Sequence, residues 1–596
     1  MIVNKKITVI PVIPLVTAGA GMFGCSSQEA ERPRQPNIVI IITDDQGWGD
    51  ISLHGNTNLH TPNIDALAQN GAQFTNFYVQ PVCSPTRADL LTGRYHSRMG
   101  VYDTSEGGER MNLDETTFAD IFRQAGYVTA AFGKWHNGMQ YPYHPNGRGF
   151  DEFYGFCSGH WGDYFSPPLE HNGKIVQGEG YVPDDITLRA IDFIRENREN
   201  PFLVYIAQIT PHTPMQVPDR WYDRFREMEL DMFTDDRYEE DVEFTRAALA
   251  MCENIDWNAG RVTDALRELG LEDNTIVIFM NDNGPNSYRW NSGMKGRKGS
   301  TDEGGVLSPL FMQWKGTIKA GMVIEELSGA IDILPTLADL AGIEYETMHP
   351  LDGISLRPLI MDENGFRGDR YIFAHWNGNV SIRNQRYRLD HQGRLFDIVE
   401  DRGQSNDISE EEPEIRARMM EAVNNWKNET MQGPVTGNRP FTVGHPDALY
   451  TQLPARDGRP HGNIVRSNRW PNSSFFTSWI STDDKITWNA EVLEDGWFDA
   501  EIYYTCPPHD AGSTFELSFG SSAISGKITE GHDPPLRGME NDRVKRAESY
   551  VKDFIPLPVG TIFLEKGTGE ITLKATEMPG SQVMDFRLLM LTRKSH

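Results

Sequence analysis

The stretch NIVIII at residues 37–42, followed by Thr43, Asp44 and Asp45, decides the fold of this 596-residue chain. It holds five consecutive β-branched residues, which is typical of a strand buried on both faces of a parallel sheet. Two carboxylates come directly after it, at the end where open α/β sheets bind their ligands. The stretch therefore predicts a central parallel strand that leads into a polar site.

Three further apolar runs end in polar side chains in the same way. They lie at residues 127–132, 202–209 and 275–280, and they lead into GKWH at 133–136, TPH at 210–212 and NDNG at 281–284. Amphipathic helical patterns separate them, at residues 116–124, 186–196 and 240–269. This alternation predicts an α/β fold with a doubly wound, mostly parallel sheet over residues 36–320. The polar residues after one such strand would as readily belong to an ordinary surface loop. Four such strand ends in one chain predict that their polar side chains share one site.

The rest of the chain predicts two smaller units. Residues 321–430 combine helical patterns at 330–341 and 412–427 with short strands near 371–375, 380–389 and 394–398, which indicates an α+β subdomain with an antiparallel sheet. Residues 431–446 are rich in Gly, Pro, Thr and Asn and predict a linker. Residues 447–596 alternate short strands with turns, the pattern of an all-β sandwich or jelly roll.

Composition excludes several classes of protein. The chain has 56 Lys and Arg against 85 Asp and Glu, a formal net charge of −29, so we expect no nucleic-acid partner. Its five cysteines are too few and too scattered for a disulfide framework or a CxxC-type structural zinc site.

The N-terminus predicts export. Residues 7–24 are apolar and follow Lys5 and Lys6, which indicates a signal peptide over residues 1–24. The stretch MFGC at residues 22–25 resembles a bacterial lipoprotein processing site, which would make Cys25 the lipidated first residue and residues 25–35 a flexible tether. The protein would then reside in the periplasm or outer membrane and contact the membrane only through its lipid. Cleavage nearby and release as a secreted protein is the alternative.

The segment CSPTRADLLTGR at residues 83–94 carries the most chemistry. Pro85 suits the first turn of a helix and Gly93 its C-terminal cap, so Cys83 should lie at the helix N-terminus, where an anion is favoured. Arg87 lies four residues on, along the same helical face. The pattern indicates a nucleophilic cysteine beside an anion site; for a lone cysteine, the alternative is an inert, buried side chain.

This segment resembles the signature of the type I sulfatases, which belong to the alkaline-phosphatase-like superfamily. The resemblance covers residues 36–427 and includes DDQGWGD (44–50), GKWH (133–136), HPNGRGFDEFYG (144–155), PHTP (211–214), NDNGP (281–285) and KGSTDEGG (298–305). It implies that a separate maturation enzyme oxidises Cys83 to formylglycine (3-oxoalanine). It also implies one Ca²⁺, with ligands Asp44, Asp45, Asp282 and Asn283 and the modified Cys83 close by.

The resemblance also implies a role for each catalytic residue. One hydroxyl of the hydrated formylglycine attacks sulfur, with Asp282 as proton acceptor, and His136 takes the proton of the other hydroxyl to expel sulfate. Lys134 and Arg87 would bind the sulfate oxygens. His212 and Lys298 would meet the leaving alcohol; Lys295 is the alternative to Lys298, which holds the family's spacing to the following GG pair.

One departure from the family concerns local packing: position 307 is Leu where relatives often carry Arg, which leaves the active residues untouched. Two further features bear on the substrate. His160 and Asp163 follow a segment that approaches the substrate in relatives; a packed aromatic loop is the alternative there. Trp488, Trp497 and Tyr503 make the β domain a candidate carbohydrate-binding module, although such aromatics are more often core residues.

Together these features predict an exported sulfatase that acts on a sulfated carbohydrate, such as an ulvan-type algal oligosaccharide or a glycosaminoglycan. A phosphatase or phosphonate monoester hydrolase of the same superfamily is one alternative. An inactive, glycan-binding surface lipoprotein is the other.

Overall fold

A computed structural model describes residues 35–363, 370–431 and 439–594. The predicted signal peptide, the lipidation candidate Cys25 and residues 25–34 of the tether lie outside them. Within the described ranges, no helix combines the length and apolar character needed to cross a membrane.

One large, predominantly parallel sheet forms the first half of the chain. Its strands are β1 (Asn37–Thr43), β2 (Ala72–Tyr78), β3 (Val128–Lys134), β4 (Glu152–Phe156), β5 (Pro168–His171), β6 (Lys174–Gln177), β7 (Phe202–Ala207), β8 (Thr275–Asn281), β9 (Leu307–Gln313), β10 (Met322–Ile324) and β11 (Ser328–Gly329). Their order is β10-β2-β9-β8-β1-β7-β3-β4-β5-β6, with β11 beside β2. β8, β1, β7, β3 and β4 run parallel, whereas β9 and β5 run antiparallel to their neighbours β8 and β4.

Ten α-helices accompany the strands among the described residues. They are α1 (Pro62–Gln69), α2 (Cys83–Thr92), α3 (Phe118–Gln124), α4 (Val182–Glu196), α5 (Asp219–Tyr222), α6 (Val242–Glu268), α7 (Glu303–Val306), α8 (Ile333–Leu340), α9 (Arg357–Ile360) and α10 (Pro413–Thr430). The helices predicted from periodicity correspond to α3, α4, α6, α8 and α10.

β1 is buried on both faces, as its composition predicts. Val39 and Ile41 pack into a core that includes residues of α4 and α6, whereas Ile38, Ile40 and Ile42 pack into a second core with residues of α2, α3 and α8. Because successive side chains point to opposite faces of a strand, one apolar run supplies both cores. The mixed α/β class with a mostly parallel sheet is confirmed.

A four-stranded antiparallel sheet follows, formed by β12 (Ile372–Trp376), β13 (Asn379–Arg383), β14 (Tyr387–Leu389) and β15 (Leu395–Asp397). The predicted strand at 380–389 is two strands here. Asn384 breaks it, because its side-chain oxygen accepts hydrogen bonds from the backbone N–H groups of Arg386 and Tyr387 and so forms a local turn. α10 packs on this sheet through residues that include Met419 and Trp426.

The C-terminal region consists of two six-stranded sheets with an apolar core between them. Their strands are β16 (Phe441–Val443), β17 (Tyr450–Pro454), β18 (Arg459–His461), β19 (Val465–Arg466), β20 (Phe476–Thr477), β21 (Lys485–Val492), β22 (Gly496–Thr505), β23 (Thr514–Phe519), β24 (Ser522–Lys527), β25 (Ile555–Leu564), β26 (Gly567–Glu577) and β27 (Asp585–Arg593). β16 lies within the segment predicted as a linker and pairs with β21. We call residues 439–594 the β-sandwich.

The aromatic residues named for glycan binding differ in exposure. Trp488 is fully buried and donates its indole N–H to the Pro454 carbonyl oxygen at 3.2 Å, so it is a core residue. Trp497 is about half exposed and contacts Phe563. A flat sugar ring could therefore reach Trp497 but not Trp488.

We expect Ile40→Ala to destabilise the protein by about 2–5 kcal/mol, because it leaves a cavity in the core under the central strand. Leu188→Ala is the matched control, since Leu188 is 43% exposed. Thermal unfolding followed by fluorescence would show a lower Tm for the first variant only. Equal Tm values for the two variants would contradict the central place of β1.

Candidate active site

The four predicted strand ends meet at one edge of the large sheet. The Asp44 N–H donates to the Thr210 carbonyl oxygen beyond β7 at 3.1 Å, and the Asp282 N–H donates to the Thr43 carbonyl oxygen at 3.0 Å. The polar side chains gathered here are buried, with His212 and Lys298 partly exposed; they are Asp44, Asp45, Cys83, Arg87, Lys134, His136, His212, Asp282, Asn283 and Lys298. The convergence predicted from the strand ends is therefore present.

Sharp backbone turns aim these side chains inward. Asp45 (φ 67°) and His136 (φ 66°) have left-handed backbone conformations, which most non-glycine residues avoid. Gly133 has φ 103°, and a Cβ there would lie 2.0 Å from the Ala207 carbonyl oxygen. Only glycine therefore lets β3 approach β7 just before Lys134 and His136.

Cys83 is the first residue of α2, as predicted, and Gly93 ends that helix with φ 69°. Burial raises the pKa of the Cys83 thiol, and the nearby Lys134 and Lys298 only partly offset this. A thiolate is the nucleophilic form of cysteine. The unmodified thiol is therefore poorly suited to attack, despite the helix N-terminus.

Three buried carboxylates each face a cation. Lys134 Nζ lies 2.7 Å from Asp44 Oδ2, and Lys298 Nζ lies 2.7 Å from Asp45 Oδ1. Arg87 donates through Nε and Nη2 to Asp282 Oδ2, at 3.2 and 2.9 Å, and through Nη1 to the Lys134 carbonyl oxygen. Arg87, expected to face an anion at position 83, thus has its guanidinium turned to Asp282.

The carboxylates differ in acidity because of their surroundings. Burial, together with the charge of Asp44, raises the pKa of Asp282 to about 7. Burial also raises the pKa of Asp45, but Lys298 and His212 outweigh it and hold that pKa well below its usual range. Asp282 can therefore take up a proton near neutral pH, whereas Asp45 stays ionised.

Several side chains that can bind a metal ion lie close together in the site. Donor atoms of Asp44, Cys83 and Asp282 all lie within 4.8 Å of one another. Asp44 Oδ1 and Asn283 Oδ1 are buried and have no hydrogen-bond partner among the residues that the structure describes. Unpaired buried oxygens are costly, and carboxylate and amide oxygens are the ligands of hard cations. The residues present therefore fit a divalent cation.

One hydrogen bond orients the His136 ring among the residues that the structure describes. Its Nε2 lies 2.8 Å from the Thr104 carbonyl oxygen, and a carbonyl only accepts, so the ring proton lies on Nε2. Nδ1 is buried without a partner in the described parts of the chain. Burial, with Lys134 nearby, lowers the pKa of His136 well below its usual value. Nδ1 of this neutral imidazole is therefore free to accept a proton.

His212 and Lys298 are the partly exposed members of the site, and the buried His160 lies beside His212. His212 Nε2 is 3.7 Å from Asp45 Oδ2, and burial, aided by Lys298, lowers the pKa of His212 to about 4. The rings of His160 and His212 stack with centroids 5.8 Å apart. Lys295, the alternative to Lys298, is instead paired with Asp302 at 3.2 Å.

Asp163 has different partners from the central cluster. It accepts the N–H of Phe165 and lies 3.4 Å from Arg537 of the β-sandwich. It lines a cavity of about 330 Å³ between the core and the β-sandwich. Leu307 is buried at the start of β9, where it serves as a packing residue.

Several residues that complete the site had no signal in the sequence. Thr104 supplies the carbonyl for His136, and Asn472 of the β-sandwich donates to the same carbonyl. Glu548 of the β-sandwich accepts the hydroxyl of Thr213, next to His212. Asn472 and Glu548 lie far along the chain from the motifs, and Thr104 contributes a backbone carbonyl, so only tertiary contacts could reveal them.

Comparisons with known proteins identify the family that this chain resembles. The Sulfatase family model matches residues 36–343, a little more than half of the chain. N-acetylgalactosamine-6-sulfatase of Homo sapiens is 32% identical over 378 residues, which cover 58% of this chain and 69% of the relative. Arylsulfatase A of Homo sapiens is 33% identical over 368 residues, 55% of this chain and 68% of the relative. The crystal structure of Ps i-CgsB in complex with k-i-k-neocarrahexaose superposes with a TM-score of 0.60 at 31% identity, over 67% of this chain and 94% of that one.

We expect a divalent cation to raise the Tm of metal-stripped protein, because binding to the folded state alone stabilises it by about 2.7 kcal/mol at 100 times Kd. Asn283→Leu removes one unpaired oxygen and should reduce this shift. Asp114→Asn is the control and should retain it, because the exposed Asp114 lies in a separate cluster with Glu115 and His349. Titrations with Ca²⁺ and Mg²⁺ give the measurement, and an unchanged shift in Asn283→Leu would place the ion elsewhere.

Proposed function

The chain belongs to the sulfatase family, and we propose that it hydrolyses sulfate esters of a sulfated carbohydrate, with Cys83 matured to formylglycine and one Ca²⁺ as its metal. The observation that carries the proposal is the convergence of Cys83, at a helix N-terminus, with three buried carboxylates and their three cations. Maturation of Cys83 by a separate enzyme is supported by the resemblance of residues 83–94 to the sulfatase signature.

The metal ligands proposed are Asp44, Asp45, Asp282 and Asn283, beside residue 83. When bound, Ca²⁺ would draw negative charge from the sulfate oxygens. Asp282 would accept the proton of the attacking hydroxyl. Arg87 would hold Asp282 in place through its two hydrogen bonds.

The remaining residues divide between sulfate and leaving group. Lys134 would bind the sulfate oxygens, and His136 Nδ1 would accept the proton whose loss expels sulfate. Lys298 would carry the positive charge at the leaving oxygen, since its ion pair with Asp45 outweighs burial and raises its pKa. His212, whose Nδ1–H donates to the Thr213 carbonyl oxygen, would meet the leaving alcohol together with Lys298.

The substrate class follows from the charge distribution and the relatives. A net charge of −29 repels a long polyanion, so local cations and Ca²⁺ must provide the attraction. We therefore favour chain ends or oligosaccharides over an intact polymer. N-acetylgalactosamine-6-sulfatase, by its name, acts on a sulfated sugar, and an ulvan-type or glycosaminoglycan oligosaccharide is the proposed substrate here.

Export completes the proposal. It rests on the apolar segment at residues 7–24 and on the processing pattern ending at Cys25. The protein would act in the periplasm or at the outer membrane, or as a secreted protein.

The test is the mass of the Cys83 peptide, together with sulfate release from a panel of sulfated oligosaccharides. We expect an aldehyde that a carbonyl reagent traps, and turnover that Cys83→Ala abolishes. Turnover of phosphate or phosphonate monoesters only would favour the alternative hydrolase. Tight glycan binding without turnover, despite a matured Cys83, would favour the inactive glycan-binding protein.

Two neighbouring lysines give a matched pair of variants. We expect Lys298→Ala to lower kcat by about 100-fold, because it removes the positive charge that faces the leaving oxygen. Lys295→Ala should change kcat little, since Lys295 pairs with Asp302. Steady-state sulfate release measures both. The reverse order of effects would assign the leaving-group role to Lys295.

A further inference from the structure

The loop that carries Thr104 owes its position to the β-sandwich. Arg439 donates through Nη2 to the carbonyl oxygens of Gly100 and Arg110, each at 2.9 Å. Arg466 Nη2 lies 2.7 Å from Glu106 Oε1, and Arg456 forms a buried ion pair with Glu109. Contacts from three arginines of the β-sandwich thus hold residues 100–110, and with them the Thr104 carbonyl.

One amide of the β-sandwich reaches that carbonyl itself. Asn472 Nδ2 donates to the Thr104 oxygen at 3.3 Å, the same oxygen that accepts His136 Nε2–H at 2.8 Å. Asn472 Oδ1 accepts hydrogen bonds from the Gly159 N–H at 3.2 Å and from Arg456 Nη1 at 3.1 Å. The amide therefore bridges the carbonyl that holds His136 and the loop that follows β4.

Gly159 shows how closely these groups approach. A Cβ at this position would lie 2.4 Å from Asn472 Nδ2 and 2.6 Å from His136 Nε2. No side chain larger than that of glycine fits without displacing one of them. His136, Gly159 and Asn472 are thus in direct contact across the boundary between the catalytic core and the β-sandwich.

We propose that Asn472 is a positioning residue for His136, and that the β-sandwich is thereby a working part of the active site. By donating to the Thr104 carbonyl, Asn472 holds the acceptor that keeps the His136 proton on Nε2. Nδ1 then remains the basic nitrogen, turned away from that carbonyl. This inference rests on the proposed function for the part played by His136, whereas the tautomer itself rests on the contacts alone.

Three variants of the full-length protein test it. Asn472→Ala removes the whole amide, and Asn472→Asp keeps the acceptor for Gly159 and Arg456 but removes the donor to Thr104. Asn468→Ala is the matched control, because Asn468 lies on the same segment and also makes two amide hydrogen bonds, to Ala547 and Trp470. We expect kcat to fall by roughly 10- to 100-fold in both Asn472 variants, with KM changed less than about threefold.

The kcat and Tm values of these variants distinguish a positioning role of Asn472 from a role in packing alone. If Asn472 only supports the fold, Asn472→Asp should restore kcat and Asn468→Ala should resemble Asn472→Ala in Tm and kcat. Either result would overturn the proposal. Normal kcat in Asn472→Ala would overturn it directly while leaving the sulfatase function intact.

A second measurement does not depend on turnover. In protein with ¹⁵N-labelled histidine, with His136→Gln identifying the signals, we expect the Nε2–H form of His136 in the wild type. Asn472→Ala and Asn472→Asp should shift it toward a mixture of tautomers. An unchanged tautomer in both variants would refute the role of Asn472. A wild type that turns over no sulfated oligosaccharide would contradict the proposed function alone.

Discussion

The charge balance around three buried carboxylates, Asp44, Asp45 and Asp282, is the constraint on which the site depends. Buried charges are tolerated only when paired and hydrogen-bonded, and here Lys134, Lys298 and Arg87 provide the partners. Those cations come from β3, from α2 and from the loop before α7. The balance therefore requires the ends of several strands and one helix to meet, and it leaves carboxylate and amide oxygens free for a cation.

The same packing sets the chemistry of each group. Burial raises the pKa of Asp282 to about 7 and keeps the His136 ring neutral, so the imidazole has an unprotonated nitrogen. Burial also raises the pKa of the Cys83 thiol, which makes the bare cysteine a weak nucleophile. The proposed reaction thus combines buried groups that would take protons from hydroxyl groups with a cysteine that would react after maturation to formylglycine.

The β-sandwich has a core of its own but is not independent of the catalytic region. Its strands have their own apolar core, as expected for a separate module, yet Arg456 and Asn472 project into the catalytic region. Trp488, which its spacing marked as a possible sugar platform, is a core residue. The contacts support one contribution of the β-sandwich to the site. It holds the loop that carries Thr104, whose carbonyl oxygen accepts a hydrogen bond from His136.

Local patterns in the sequence determined the central strand, the main helices and most of the chemical groups of the site. A β-branched run before Asp44 and Asp45, and the helix signals around Cys83, depend on neighbouring residues alone. The turn at Asn384, the orientation of Arg87 toward Asp282 and the pairing of Lys295 with Asp302 could not be predicted in this way. The roles of Thr104 and Asn472 were likewise decided by the tertiary structure. Every residue has a backbone carbonyl, so the sequence does not indicate which one accepts from His136, and the contact between residues 104 and 472 exists only after folding.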